Sequence, residues 1–346
     1  NMRAPFVIGG EKIAPGTRQT VDLPVSLLST HTPMTVPVHV IHGRREGATI
    51  FVSAAIHGDE IIGVEIIRQL LQSTALRHLR GTLICAPVVN VFGFIDQDRY
   101  LPDRRDLNRS FPGTEKGSLA AQLANLFMTE IVDQSDVGID LHSAAIHRVN
   151  LPQIRIAEDQ PRARELAEAF GAPVILHARL RDGSLRQCAL ERGVDVIVYE
   201  AGEALRFDDV AIRTGVRGIM RVMKSMDMLG SKRIKPATRK PHVVSASRWI
   251  RAPGSGVVRL IKGIGDMVEE GEIIGQISDP IGTSKLNVEA VETGIVIGQT
   301  RLPIINQGDA LLHVAATANA QRVETAVETS EKEVLADPLL DEDEII

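Results

Sequence analysis

Between residues 35 and 229 the chain alternates short apolar runs with stretches of helical spacing, and three of those runs end on a histidine or a glutamate. Runs at 36–41, 50–56, 83–89, 137–141, 174–176 and 194–199 have strand length. Helical spacing fills 62–71, 120–131, 161–170, 184–192 and 207–229, with Ser118 placed to cap the second of these. Such alternation predicts an α/β fold with a mixed, largely parallel sheet flanked by helices. The residues that end the runs are His57, His142 and Glu200. Open α/β sheets bind ligands beyond the carboxyl ends of their strands. Three positions far apart in sequence are therefore expected to meet in one crevice.

Glu60 joins them, three residues after His57 in His57-Gly58-Asp59-Glu60. A lone His-x-x-Glu is often no more than a polar turn. Combined with His142 it makes a two-histidine, one-carboxylate set, which suits one Zn²⁺ per subunit and leaves a coordination position for water. Asp140 lies two residues before His142, on the same strand face, where a carboxylate can orient an imidazole; the competing reading is a sheet-edge hydrogen bond. Glu200 closes an apolar strand, a partly desolvated place suited to a general base; the competing reading is a strand-end ion pair.

The stretch 93–118 is rich in Gly, Pro, Asp and Arg, and long loops of this kind in compact domains are usually functional. Four arginines fall within eleven residues, Arg99 to Arg109. Guanidinium forks bind carboxylates bidentately. Asn108 and Arg109 are suited to clamp a substrate carboxylate, and Arg99 to polarise a scissile carbonyl. Arg104 and Arg105 are expected to be solvated or paired with Asp103 and Asp106.

After about residue 240 helical spacing stops, and short strands separated by glycine turns take over. The expected division is a catalytic domain over 1–240, a small all-β module over 241–316 and an acidic tail over 317–346, mobile or docked on a neighbouring subunit. The net charge of −5 gives no pull toward nucleic acid or an anionic membrane surface. Lys232, Arg233 and Lys235 with Arg239 and Lys240 read as a solvated linker, not a basic tract. No apolar run approaches the roughly 20 residues that span a bilayer. No secretory leader is visible, and Cys85 and Cys188 lie in apolar contexts that favour reduced thiols. A cytoplasmic homo-oligomer is expected.

The order His57-Gly58-Asp59-Glu60, Asp106-Leu107-Asn108-Arg109-Ser110-Phe111-Pro112-Gly113, His142 and Glu200-Ala201-Gly202 resembles the succinylglutamate desuccinylase/aspartoacylase family, within the zinc metallocarboxypeptidase superfamily. The resemblance covers roughly residues 35–316. It implies a carboxypeptidase-like fold, zinc on His57, Glu60 and His142, and Glu200 as general base. It also implies carboxylate binding by Asn108 and Arg109, a carbonyl-polarising role for Arg99 and a further substrate contact at Arg186. The implied reaction is removal of an acyl group from a small N-acyl amino acid. Gly265 to Gly271 resembles the hammerhead of biotinyl and lipoyl carrier domains, a barrel-sandwich. The sequence around Lys285 does not match a carrier lysine, so the module is read as structural and as a wall of the active-site mouth. A carboxypeptidase-like peptidase and a non-catalytic metal-binding protein are the competing functions.

Overall fold

The structure is a computed structural model that describes residues 3–230 and 234–336. Its centre is a thirteen-stranded mixed sheet. Ten strands form its main path: β1 (Thr17–Leu27), β2 (Pro33–His42), β3 (Arg45–Ala54), β4 (Arg80–Ala86), β5 (Val137–Ala144), β6 (Arg148–Ile156), β7 (Asp195–Glu203), β8 (Ser247–Arg251), β9 (Gly294–Thr300) and β10 (Ala310–Ala316). Their spatial order is β8-β10-β9-β6-β7-β5-β3-β4-β2-β1. The four central strands β7, β5, β3 and β4 are mutually parallel. Antiparallel strands extend this block on both sides. A mixed sheet flanked by helices is thus what the alternation produces, with parallel pairing concentrated at its centre.

The helices are α1 (Ile62–Leu70), α2 (Val91–Asp96), α3 (Leu119–Glu130), α4 (Pro161–Phe170), α5 (Leu185–Glu191), α6 (Asp209–Ser225) and α7 (Ala320–Ala336). Helix α1 buries Ile62, Ile66, Ile67 and Leu70, the stripe its 3.6-residue period aligns. It packs with α4 and α6 on one sheet face, over Ile50, Val52, Ile139, Leu141 and Ile197. Leu123 and Phe127 of α3 and Leu185 and Cys188 of α5 cover the opposite face, over Phe51, Ile84 and Val196. Ser118 caps α3 by accepting from the Ala121 N–H. Both cysteines are buried free thiols, and burial pushes Cys85 up to about 12. No described helix is long and apolar enough to cross a membrane.

Beyond residue 246 a separate four-stranded antiparallel sheet forms from Gly256–Leu260, Ile273–Ser278, Lys285–Glu289 and Ile304–Ile305. It packs on β8, β9 and β10 through Ile250, Val258, Ile274, Val296, Leu312 and Val314. Those three strands continue the central sheet, because β9 pairs with β6 at Gly298↔Asn150, Gln299↔Val149 and Thr300↔Arg148. The segment expected to be a tail contains α7, docked on its own chain: Val323 and Val327 pack with Ile295, Ile297 and Ala315. The acidic residues 341–344 lie outside the described residues, as do Lys232 and Arg233.

Candidate active site

The turn that follows β3 sets the first ligands. Ala55 takes φ of +51°, a left-handed conformation uncommon for a residue with a side chain. His57 and Glu60 follow before α1 begins, linked by the Glu60 N–H donating to the His57 carbonyl at 3.1 Å. Gly58 lies against α2 so closely that a Cβ there would stand 2.0 Å from the Gly93 carbonyl carbon. Only glycine lets the turn approach its neighbour this way. Next to β3 runs β5, whose Gly138, Asp140 and His142 point to one face while Ile139 and Leu141 enter the core on the other.

Among the described residues, His57, Glu60 and His142 are the one group of three buried residues able to share a metal ion, with ligand atoms all within 4.8 Å of one another. His57 Nδ1 lies 3.0 Å from Glu60 Oε1, yet the geometry is not that of a hydrogen bond and this buried nitrogen has no partner. His142 Nδ1 lies 2.8 Å from Glu60 Oε2. The outer nitrogens are held by carboxylates. His57 Nε2 donates to Asp106 Oδ1 at 2.9 Å, and His142 Nε2 donates to Asp140 Oδ2 at 2.6 Å. Asp140 Oδ1 in turn accepts from Ser53 at 2.8 Å. A proton fixed at each Nε2 leaves both Nδ1 lone pairs aimed at Glu60, the tautomer a metal ligand needs. Two imidazoles and one carboxylate, with an orphaned Nδ1 among them, fit Zn²⁺.

These groups shift one another's proton affinity. Burial pulls His142 down, but Asp140 and Glu60 outweigh it and hold the ring well above the usual histidine range. His57 is likewise raised, because Glu60 and Asp106 overcome its burial. Burial pushes Glu60 up, but the two histidines hold it well below the usual carboxylate range. Asp106 feels burial too, yet His57 and Arg99 bring it down to about 2.

All eight residues picked from sequence line a single cavity of about 560 Å³, together with Asp140. Arg99 Nη1 donates to Glu60 Oε1 at 2.9 Å. Asn108 spends its carbonyl oxygen on the Leu185 N–H at the start of α5, at 2.9 Å. Arg109 is exposed at the rim, with Nη1 donating to the Asn108 carbonyl. Arg186 donates through Nη2 to the carbonyls of Ala178 and Arg179, while its buried Nη1 is unpartnered. Burial and the nearby Arg155 lower Arg186 to about 10. Glu200 Oε2 accepts from Asn150 Nδ2 at 2.9 Å and lies 3.1 Å from Arg155 Nη2.

The sequence reading missed several groups here. Arg105 lies 3.7 Å from Asp103, as one of the expected pairings has it, while Asp106 lies 3.6 Å from Arg99 and also holds His57, a contact not anticipated. Asn150 and Arg155 come from β6, a strand not anticipated. Ser247, Trp249 and His313 from the C-terminal strands wall the cavity. Trp249 stacks on His313 with ring centroids 4.8 Å apart, and the Arg148 guanidinium sits 5.0 Å from the indole centroid. His313 Nε2 is 2.9 Å from the Ser247 hydroxyl. Burial, then Arg155, lowers His313 to about 4, so it is neutral near pH 7.

Known proteins share this fold. Residues 46–226 match the family profile described as succinylglutamate desuccinylase/aspartoacylase catalytic domain. N-alpha-acetyl-L-2,4-diaminobutyric acid deacetylase of Halomonas elongata is 28% identical over 292 residues, 81% of this chain and 85% of the relative. A succinylglutamate desuccinylase/aspartoacylase crystal structure from Rhodobacter sphaeroides superposes with a TM-score of 0.76 at 25% identity, covering 86% of this chain and 95% of that one. The product-bound ectoine utilization protein EutE of Ruegeria pomeroyi shares the fold at a TM-score of 0.76 and 22% identity, covering 87% and 95%. The chain belongs to the succinylglutamate desuccinylase/aspartoacylase family of amide-hydrolysing deacylases.

Proposed function

We propose that this chain is a zinc-dependent amidohydrolase that deacylates a small N-acyl amino acid. The observation that carries this reading is the pair of histidines whose Nδ1 atoms face Glu60 while carboxylates hold their Nε2 atoms, inside a cavity that also presents Glu200. His57, Glu60 and His142 would hold the ion, whose Lewis acidity polarises the amide carbonyl and lowers the pKa of water. Glu200 takes the proton of the attacking water and returns it to the leaving amine nitrogen. Arg99, which donates to Glu60, stabilises the charge that develops on the carbonyl oxygen. Asn108 and Arg109 hold the substrate carboxylate, and Arg186 brings an unpaired N–H to the same cavity.

Seven arginines line the cavity against three carboxylates, and two of the three, Glu60 and Asp140, serve the histidines. This excess favours a net-anionic substrate. Glu200→Gln is expected to keep zinc and to lose about 10²–10⁴-fold in turnover; retained activity would overturn the role of Glu200. A panel of N-acetyl and N-succinyl amino acids should rank dicarboxylic substrates above acetylated diamino acids. Cleavage of peptides with no action on the panel would favour a peptidase instead.

A further inference from the structure

One lateral row of residues crosses the sheet from the catalytic strand to the C-terminal strands. Gly202 of β7 pairs with Asn150 of β6, Asn150 with Gly298 of β9, Gly298 with His313 of β10, and His313 with Trp249 of β8. Directly opposed residues on neighbouring strands project to the same face. Asn150 is 7% exposed, and its amide nitrogen donates to Glu200 Oε2. Arg155 meets the same oxygen. Both contacts converge on Oε2.

Gly298 is the empty square in this row. A Cβ there would stand 3.1 Å from Asn150 Oδ1, 3.2 Å from the His313 Cβ and 3.6 Å from the far edge of the Trp249 indole. The missing side chain is the space that the Asn150 amide and the indole share. Its backbone does not occupy the left-handed region, so alanine there meets no conformational barrier, only neighbours that must give by a few tenths of an ångström.

We infer that Asn150 is a positioning residue for Glu200, and that the C-terminal strands set its amide through the gap at Gly298. Arg155 supplies charge from a long, flexible arm. Asn150 supplies direction from a short side chain on a rigid strand, fixing Oε2 and leaving Oε1 for water. A displacement of a few tenths of an ångström in β9 would thus reach the general base without touching substrate. The inference rests on the reading of Glu200 as that base.

The test is a double-mutant cycle on the zinc-loaded full chain, with an N-acyl amino acid cleaved by the unmodified protein. Asn150→Ala should lower kcat by about 10- to 100-fold with KM within about twofold, the scale expected of a misplaced catalytic group. Gly298→Ala should lower kcat by about 3- to 10-fold alone, and add nothing in the Asn150→Ala background, because coupled sites are not additive. Zinc content and calorimetric binding of the amino-acid product should be unchanged in all three variants. If Asn150→Ala does not fold, the isosteric Asn150→Asp carries the test, since it removes the donor and should cost at least as much. Equal penalties for Gly298→Ala in both backgrounds, or a normal kcat in either Asn150 variant, would overturn the inference. Failure of the deacylase reading itself would look different, with the unmodified protein inactive on every N-acyl amino acid.

Discussion

Replacing Asp140 isolates what the carboxylates behind the histidines contribute to metal binding. Asp140 is 1% exposed and accepts from His142 Nε2 at 2.6 Å and from Ser53 at 2.8 Å. Asp140→Asn keeps the volume and lets its amide oxygen accept from the imidazole, but the bond loses its charge assistance. Charge-assisted bonds are worth about 1.5–3 kcal/mol and neutral ones about 0.5–1.5. The difference of about 1–1.5 kcal/mol is about tenfold in zinc affinity. Asp140→Ala removes the acceptor, leaves the Nε2 proton and the Ser53 hydroxyl buried without it, and frees the ring to rotate, so the loss should reach about 100-fold. Asp106→Asn should cost less, because Asp106 is partly exposed and divides its oxygens between His57, Arg99 and the Asn108 N–H. Competition against a chromophoric chelator at fixed pH reads these affinities directly, with circular dichroism to verify the fold. Zinc binding by Asp140→Asn within twofold of the unmodified protein would refute the argument that this carboxylate fixes the tautomer of His142.

Gly58→Ala must push the ligand turn away from α2, since its Cβ would sit 2.0 Å from the Gly93 carbonyl carbon; zinc affinity measured by the same competition should fall at least about tenfold. His313 binds its proton less well when folded, about 4 against 6.5, so the unfolded chain takes up the extra proton as pH falls through that window. Its stabilising contribution is complete above pH 6.5 and shrinks by about 2 kcal/mol by pH 5. Urea midpoints of His313→Gln should therefore fall less between pH 7 and pH 5 than those of the unmodified protein, and parallel curves would exclude the effect. Gly138→Ala would bring a methyl 2.1 Å from the Phe51 ring, and should lower stability by about 1–3 kcal/mol or more in chemical denaturation.

The clustering of His57, Glu60 and His142 was legible because buried parallel strands are apolar along their whole length, so a histidine or glutamate stands out where each one reaches the cleft. The strands nevertheless run further than the apolar signal: β5 continues past His142 to Ala144, and β7 past Glu200 to Glu203. β6 was not legible. Its sequence Arg148 to Ile156 contains Pro152 and sets Asn150, Gln153 and Arg155 among its apolar residues, and proline inside a run argues against a central strand. Both partners of Glu200 were lost with it. The contact between Asp106 and His57 was not legible for a related reason, since the two lie 49 residues apart in sequence. Helix α7 was hidden by its charge, although Val323, Val327 and Val334 keep helical spacing. The contribution of Trp249 and His313 has no local signature, because it depends on β9 pairing with β6 nearly 150 residues earlier.

That pairing also limits how the cleft can work. The wall formed by Ser247, Trp249 and His313 is joined to the catalytic strands by a hydrogen-bonded ladder, and a ladder does not swing open as a loop does. Substrate and product therefore pass, on that side, against a wall that stays in place. Reshaping that wall at Trp249 is thus a more direct way to broaden the range of substrates than loosening any hinge.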